Sequence, residues 1–276
     1  MHPFTVVPTN MVFLDVAEGM SEALTNLSFQ SSIGMDTQNG FNLVFGVHLI
    51  ENFEQDPATT IIFNLEQLGS SSEYFDHKYL QALSHYTVWD YSQRNIQWMK
   101  TAGVNVNAQW APIGHADVIR RVQSAQVQDI DILFYGAVNQ RRKVVLDGLI
   151  NRGYNVVILS SNIFREELDS YVARSKVVLN MHYYDTFIFE IVRVSYLLSN
   201  SKAVVAEVNN GTDIYPFVRQ AVCGVPYDRL VEACAELIEN DLKRTTLEAE
   251  AFQLWSKFPQ RDLISGPTRK FIATNT

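Results

Sequence analysis

Two stretches carry residue types suited to holding an anion. The first reads Tyr135-Gly136-Ala137-Val138-Asn139-Gln140-Arg141-Arg142-Lys143: a strand end, a glycine, a short loop with Asn139, and a helix start. Gly136 lets the backbone approach a ligand closely. Arg141 and Arg142 fall in the first helical turn, where the helix dipole alone disfavours cations. A bound anion such as a diphosphate would reconcile them with that position. The competing reading is a solvated helix face, and the segment is neither a Walker loop nor a GxGxxG turn.

The second stretch is residues 176–207, KVVLNMHYYDTFIFEIVRVSYLLSNSKAVVAE. Its spacing predicts a strand, a loop, a helix over 187–198 and a second strand, as in two buried parallel strands joined by a crossover. His182, Tyr183, Tyr184 and Asp185 then fall in a loop at a strand's carboxyl end, where parallel sheets take anionic ligands. The aromatics could stack on a base or contact a sugar, or they could only anchor the loop. Phe187 opens the helix. Glu190 and Arg193, three residues apart on one face of an otherwise apolar helix, must pair with each other or with a ligand, because unpaired burial is costly.

Acid–base candidates lie elsewhere. His48, Glu66, Asp90 and His115 fall at or near predicted strand ends in the first half, where a catalytic base could stand, although polar strand ends are also common without function. Asp129-Ile-Asp131 spells a DxD metal motif but leads into an apolar strand, so it is set aside. The chain shows no Cys/His cluster of metal spacing, no GxSxG elbow and no pair of catalytic carboxylates.

The elements that must position these residues alternate strand and helix, the pattern of a parallel α/β sheet. Apolar runs predict strands over 5–16, 41–50, 59–65, 86–89 and 104–110, with mixed helical spacing over 21–29. Short helices are expected over 79–83 and from Ser92 to Lys100. Pro112 and Gly114 break the pattern, and the domain junction is placed there: 1–115 and 116–276. In the second part strands are expected over 130–135, 155–159 and 222–225, with helices over 139–152, 164–174, 227–239 and 247–258. The tail beyond 264 is expected to cross back to the first domain.

Composition narrows the function classes. With 47% hydrophobic and 19% charged residues the 276-residue chain can build a full core, which disfavours disorder. No window approaches the ~18 apolar residues of a membrane span. No basic, secretory-type start is seen, and two cysteines, Cys223 and Cys234, make no disulfide framework, so a cytoplasmic setting is expected. Residues 1–120 hold 4 Lys+Arg against 12 Asp+Glu, and residues 121–276 hold 18 of each. The whole excess of −8 therefore lies in the first part, which disfavours nucleic acid as a partner without excluding it.

The segments IDILFYGAVNQRRKVVLDGL, YVARSKVVLNMHYYD and RVSYLLSNSKAVVAE resemble the donor domain of GT-B glycosyltransferases, in particular short glycosyltransferase-like proteins of bacteria and phages. IIFNLEQL, VWDYSQRNI and WAPIGH extend the resemblance over most of residues 59–240. It implies an α/β fold of two Rossmann-like domains facing across a cleft, with the donor on the C-terminal one. It also assigns Gly136 to the glycine after the first donor-domain strand, Arg141 and Arg142 to the diphosphate, and Arg193 to the Arg of an R-x-x-E pattern. Glu207 is the acidic end of the next strand. Tyr196 stands where relatives carry a ribose-holding Glu, a departure for which Glu190 could substitute.

The function so implied is metal-independent transfer of a sugar from a nucleotide-sugar, itself a substrate, to an unidentified acceptor hydroxyl, with no cofactor. Donor contacts are expected from Gly136, Asn139, Arg141, Arg142, His182, Tyr183, Tyr184, Phe187, Glu190 and Arg193. Catalytic roles are expected from Arg193, Glu190, His48 and Asp90, with a retaining outcome slightly favoured. A phage-type nucleic-acid glycosyltransferase and a non-catalytic nucleotide-sugar-binding module are the alternatives.

Overall fold

Buried runs of β-branched and aromatic residues build two parallel sheets, each fed by crossovers. The computed structural model describes residues 2–70 and 77–275. The first sheet contains β1 (Phe4–Pro8), β2 (Ser31–Ile33), β3 (Phe41–Phe45), β4 (Thr60–Asn64), β5 (Thr87–Asp90) and β6 (Gln109–Trp110), in the order β2-β1-β3-β4-β5-β6. Every residue of β3 and β4 is buried, as expected for strands covered on both faces. Helices α1 (Leu14–Asn26), α2 (His77–His85) and α3 (Gln93–Thr101) belong with it.

The second sheet contains β7 (Ile130–Tyr135), β8 (Val156–Leu159), β9 (Ser175–Asn180), β10 (Ala203–Glu207) and β11 (Cys223–Val225), in the order β11-β10-β9-β7-β8. All its pairings are parallel. Its helices are α4 (Gln140–Asn151), α5 (Arg165–Arg174), α6 (Ile191–Ser199), α7 (Pro216–Ala221), α8 (Leu230–Glu239) and α9 (Asp241–Trp255). Ile132, Phe134, Leu149, Val177, Leu179, Val205 and Leu237 meet in one buried core. The last helix, α10 (Gln260–Asn275), packs on α1. Among the described residues no helix is long and apolar enough to cross a membrane.

The chain divides into two compact units. Met1–Ile119, Tyr184–Ile188 and Phe258–Thr276 form one; Arg120–Tyr183 and Phe189–Lys257 form the other. In the first, Gln260 ties the C-terminal segment to the turn over residues 111–115. Its Oε1 accepts from Gly114 N at 2.6 Å and its Nε2 donates to Pro112 O at 3.0 Å. His115 N donates to Phe258 O at 2.9 Å, and Gln260 N to His115 O at 2.7 Å. Gly114 is required there, because a Cβ would lie 2.5 Å from Phe258 O.

Three local expectations are corrected. Residues 5–16 are not one or two strands: Asn10 accepts from Val12 N and turns the chain into a short helical turn and then α1. The helix expected over 187–198 begins at Ile191, because Phe187 has a left-handed φ of 53° and Phe189 N is held by Asp213 O. Glu190 is therefore that helix's N-cap residue rather than a member of its face. The helix expected from 247 begins at Asp241, where Asn240 accepts from Lys243 N.

Candidate functional site

In the second sheet β7 lies between β8 and β9, so strand order reverses there. Open parallel sheets bind ligands outside the carboxyl ends of the strands at such a switch point. The loop after β7 begins with Gly136, whose φ of 120° suits glycine. A Cβ on it would lie 2.6 Å from Arg193 Nη2 and 3.9 Å from Arg142 Nη1. Gly136 thus makes room for two guanidiniums. Arg193 comes from α6 and donates to Asn180 Oδ1 at 3.2 Å, with its guanidinium 5.0 Å from the Tyr135 ring centre. Among the described residues no carboxylate lies in ion-pair reach of this half-buried side chain.

Arg142 is nearly fully buried. It donates to Ala137 O at 2.8 Å and to Met181 O, and lies 3.8 Å from Glu190 Oε1. Burial, and next the Arg193 charge, lower its pKa to about 10, with Glu190 opposing. It remains cationic at neutral pH. Asn139 caps α4 by accepting from Arg142 N at 2.9 Å, and its amide reaches Tyr183 O at 3.4 Å. The Tyr183 ring centre is 5.1 Å from the Arg142 guanidinium.

Arg141 holds an anion, and that anion is the protein's own. Its fork donates to both oxygens of Glu207, and its guanidinium stacks 3.9 Å over Tyr227. Glu207 is fully buried and also accepts from His182 N at 3.1 Å and Asn209 Nδ2 at 2.8 Å. Burial pushes its carboxyl up, but the hydrogen bonds from Arg141 and Asn209, with the His182 charge, outweigh that and hold it below the ordinary value. His182, itself buried, places Nδ1 3.3 Å from Glu190 Oε2 and Nε2 3.2 Å from Thr212 Oγ1. Asn180, Asn209, Thr212 and Tyr227 were not singled out from sequence. Only Asn180, a polar end to an apolar strand, carried a readable signal.

Removing the Glu207 carboxylate is expected to destabilise the protein. Breaking a buried pair costs roughly 3–5 kcal/mol, and the lower end applies because Arg141 is about a third exposed. Glu207→Ala should lose about 3 kcal/mol in denaturant melts, and Arg141→Ala in that background should recover part of it. A carboxyl lowered in the folded state stabilises above its ordinary value and stops doing so as pH falls through the lowered one. Wild type should therefore lose stability more steeply than Glu207→Ala below about pH 4.

Tyr196 points away from this cluster's carboxylates. Its buried hydroxyl donates to Asp169 Oδ1 at 2.5 Å, and Arg121 Nε donates to Asp169 Oδ2 at 2.8 Å. Burial and then that hydrogen bond raise the Tyr196 hydroxyl's pKa well above its usual value. Asp129 and Asp131 are in ion pairs with Arg174 and Lys176.

Tyr184 and Phe187 belong with the first unit. There Thr186 Oγ1 donates to Gln67, whose Nε2 donates to Ile188 O at 3.0 Å. Of the acid–base candidates, Asp90 is fully buried and accepts from Asn64 Nδ2 at 2.6 Å, Ser92 N at 2.7 Å and Asn95 Nδ2 at 3.1 Å. That network fixes the ends of β4 and β5. His115 lies in the turn held by Phe258 and Gln260, 3.2 Å from Asp117.

His48 and Glu66 come together, with Nε2 3.6 Å from Oε1. His48 Nδ1 is enclosed and makes no hydrogen bond among the described residues. Glu66 is partly exposed, and burial raises its carboxyl above the ordinary value, with the His48 charge opposing. The pair is suited to accepting a proton.

No protein-family model matches the chain. Two uncharacterised proteins of Acanthamoeba polyphaga mimivirus are similar to it. L140 is 28% identical over 185 residues, covering 65% of this chain and 59% of L140. L137 is 24% identical over 190 residues, covering 67% of this chain and 25% of L137. The chain thus spans less than two thirds of the length of either relative. Solved structures resemble it along nearly its whole length. Anabaena HepE, solved with UDP and glucose, has a TM-score of 0.60 at 11% identity, covering 98% of this chain and 99% of HepE. T4 phage BGT, solved with UDP and Mn2+, has 0.58 at 11% identity, covering 99% and 97%. WaaG, a glycosyltransferase involved in lipopolysaccharide biosynthesis, has 0.57 at 11% identity, covering 96% and 99%. The two parallel sheets, of six and five strands, give this chain the GT-B fold of these glycosyltransferases.

Proposed function

We propose that the protein is a glycosyltransferase that takes a sugar from a nucleoside-diphosphate sugar and delivers it to an acceptor hydroxyl. The observation that carries this reading is Arg193. A half-buried guanidinium lies over a glycine at the strand switch point, beside buried Arg142, with no carboxylate of its own among the described residues. Three arginines there face two carboxylates, Glu190 and Glu207. The diphosphate of a donor would balance that excess and reach the N-terminus of α4. UDP-bound neighbours of the same fold support a nucleotide donor.

As the bond from the sugar's anomeric carbon to the diphosphate breaks, negative charge grows on the leaving oxygens. Arg193 and Arg142 stabilise that charge most when it is greatest, the condition for lowering a barrier. With guanidiniums supplying the neutralisation, the step we propose needs no metal, so EDTA should leave transfer intact. The acceptor oxygen bonds to the sugar carbon as the diphosphate leaves, and its proton passes to a base; on the first unit the base we propose is Glu66, with His48 beside it. A retaining route needs no such enzyme base; the His48–Glu66 pair favours inversion, which the anomeric configuration of the product reports by NMR.

The deciding experiment is a thermal-shift series with UDP, GDP, ADP, CMP and TDP, followed by transfer assays with sugars of the nucleotide that binds. A ligand at a hundred times its dissociation constant adds about 2.7 kcal/mol of stability. Absence of any shift would sink the donor site. Binding without transfer to any acceptor would favour a non-catalytic module.

A further inference from the structure

In the first sheet the connection between the neighbours β3 and β4 has no crossover helix. Parallel neighbours are usually joined by an α-helix, as α2 joins β4 to β5 and α3 joins β5 to β6. Between β3 and β4 the chain makes only a short helical turn, Val47–Leu49, and then runs on as loop to residue 59. Gly46 starts this departure, with a left-handed φ of 68° and Thr9 Oγ1 donating to its carbonyl at 3.1 Å. Right-handed crossovers put this connection on the same face of the sheet as α2. A groove of about 760 Å³ remains between the two, within the range of small-molecule sites.

The groove is built rather than slack. Tyr86 at the end of α2 pins the loop by its hydroxyl, accepting from Gln55 N at 2.9 Å and donating to Gln55 O at 3.0 Å. Thr37 Oγ1 donates to the Gln55 side chain at 2.8 Å. Phe53, half-buried, packs on Tyr86 with ring centres 5.1 Å apart. Along the walls stand exposed Glu51, Glu54 and Gln81, against one cation, Lys78. His48, the partner of Glu66, is part of the same lining.

An aromatic surface flanked by carboxylates and amides is chemistry for a sugar ring: the aromatic faces its C–H bonds, and the polar groups bond its hydroxyls. Two carboxylates against one ammonium oppose a phosphate-bearing polymer. We infer that this groove binds the body of an uncharged oligosaccharide acceptor, with His48, the partner of Glu66, on its wall. The assignment of the bound glycan as an acceptor rests on the transferase reading above; the binding itself does not.

Calorimetric titration of the full chain with maltotriose, cellotriose, chitotriose and mannotriose, and separately with a short single-stranded DNA, tests it. At least one trisaccharide should bind, and Gln81→Trp, which fills the groove from an exposed position, should weaken it at least tenfold. Glu54→Ala should weaken it too, with melting temperature and UDP affinity unchanged in both variants. Binding of none of the trisaccharides, binding untouched by both substitutions, or binding of the DNA in their place would overturn the inference. Loss of UDP binding in the wild type would instead overturn the donor site and leave the groove standing.

Discussion

Arg193→Ala is expected to lower kcat/KM for transfer by about 10²–10³-fold, the effect of removing one preorganised charge donor from a transition state. Most of the loss should fall in kcat, because the leaving diphosphate carries more charge as the bond breaks than in the bound donor. Folding should survive, since Arg193 makes one side-chain hydrogen bond, to Asn180, and no ion pair among the described residues. Arg193→Lys should recover only part of the rate: a point charge replaces a fork whose Nη2 comes up against Gly136. Gly136→Ala should mimic the loss without touching a charge, by displacing the guanidinium 2.6 Å from the new Cβ. An Arg193→Ala enzyme with unchanged kcat would remove the residue from the chemistry.

Glu66→Gln should cut transfer by roughly 10²–10⁴-fold, the usual contribution of a general base. Its effect on stability should have the opposite sign to that of a structural ion pair. Burial raises the Glu66 carboxyl, so the folded state holds that proton more tightly than the unfolded chain does. The corresponding stability is present at low pH and is lost as pH rises through the raised value. At neutral pH the amide removes a partly desolvated charge, and the melting temperature should stay the same or rise. A drop in both activity and melting temperature would mean that the His48 contact is merely structural.

Strands β3, β4, β9 and β10 were legible because strands covered on both faces appear as unbroken apolar runs, whereas β2, short and largely exposed, was not. The strand-end loops followed from them, with Gly136 in the first and Arg193 in the helix after the second. What could not be read was which anion each arginine holds. Cations in the first turn of α4 do call for an anion. For Arg141 that anion is Glu207, 66 positions further on, and no local pattern announces such a pairing. Asp90 failed as a base candidate for a similar reason. Its partners Asn64, Ser92 and Asn95 come from the end of β4, the cap of α3 and that helix's first turn, and together they make it a joint of the scaffold. The starts at Met11 and Asp241 are set by capping side chains and the one at Ile191 follows a left-handed residue, which periodicity does not register.

The division of the chain has a consequence for its birth on the ribosome. Residues 120–183 and 189–257 complete the second unit while the first still lacks α10 and the Phe258–Gln260 tie to the 111–115 turn. The half synthesised first is therefore the half finished last, against the usual N-terminal-first order. Until residues 260–275 are added, the face of α1 that α10 covers and the ring of Phe41 that meets Phe271 stay open to water. A chain truncated after residue 257 should pair a protease-resistant second unit with a protease-sensitive first one.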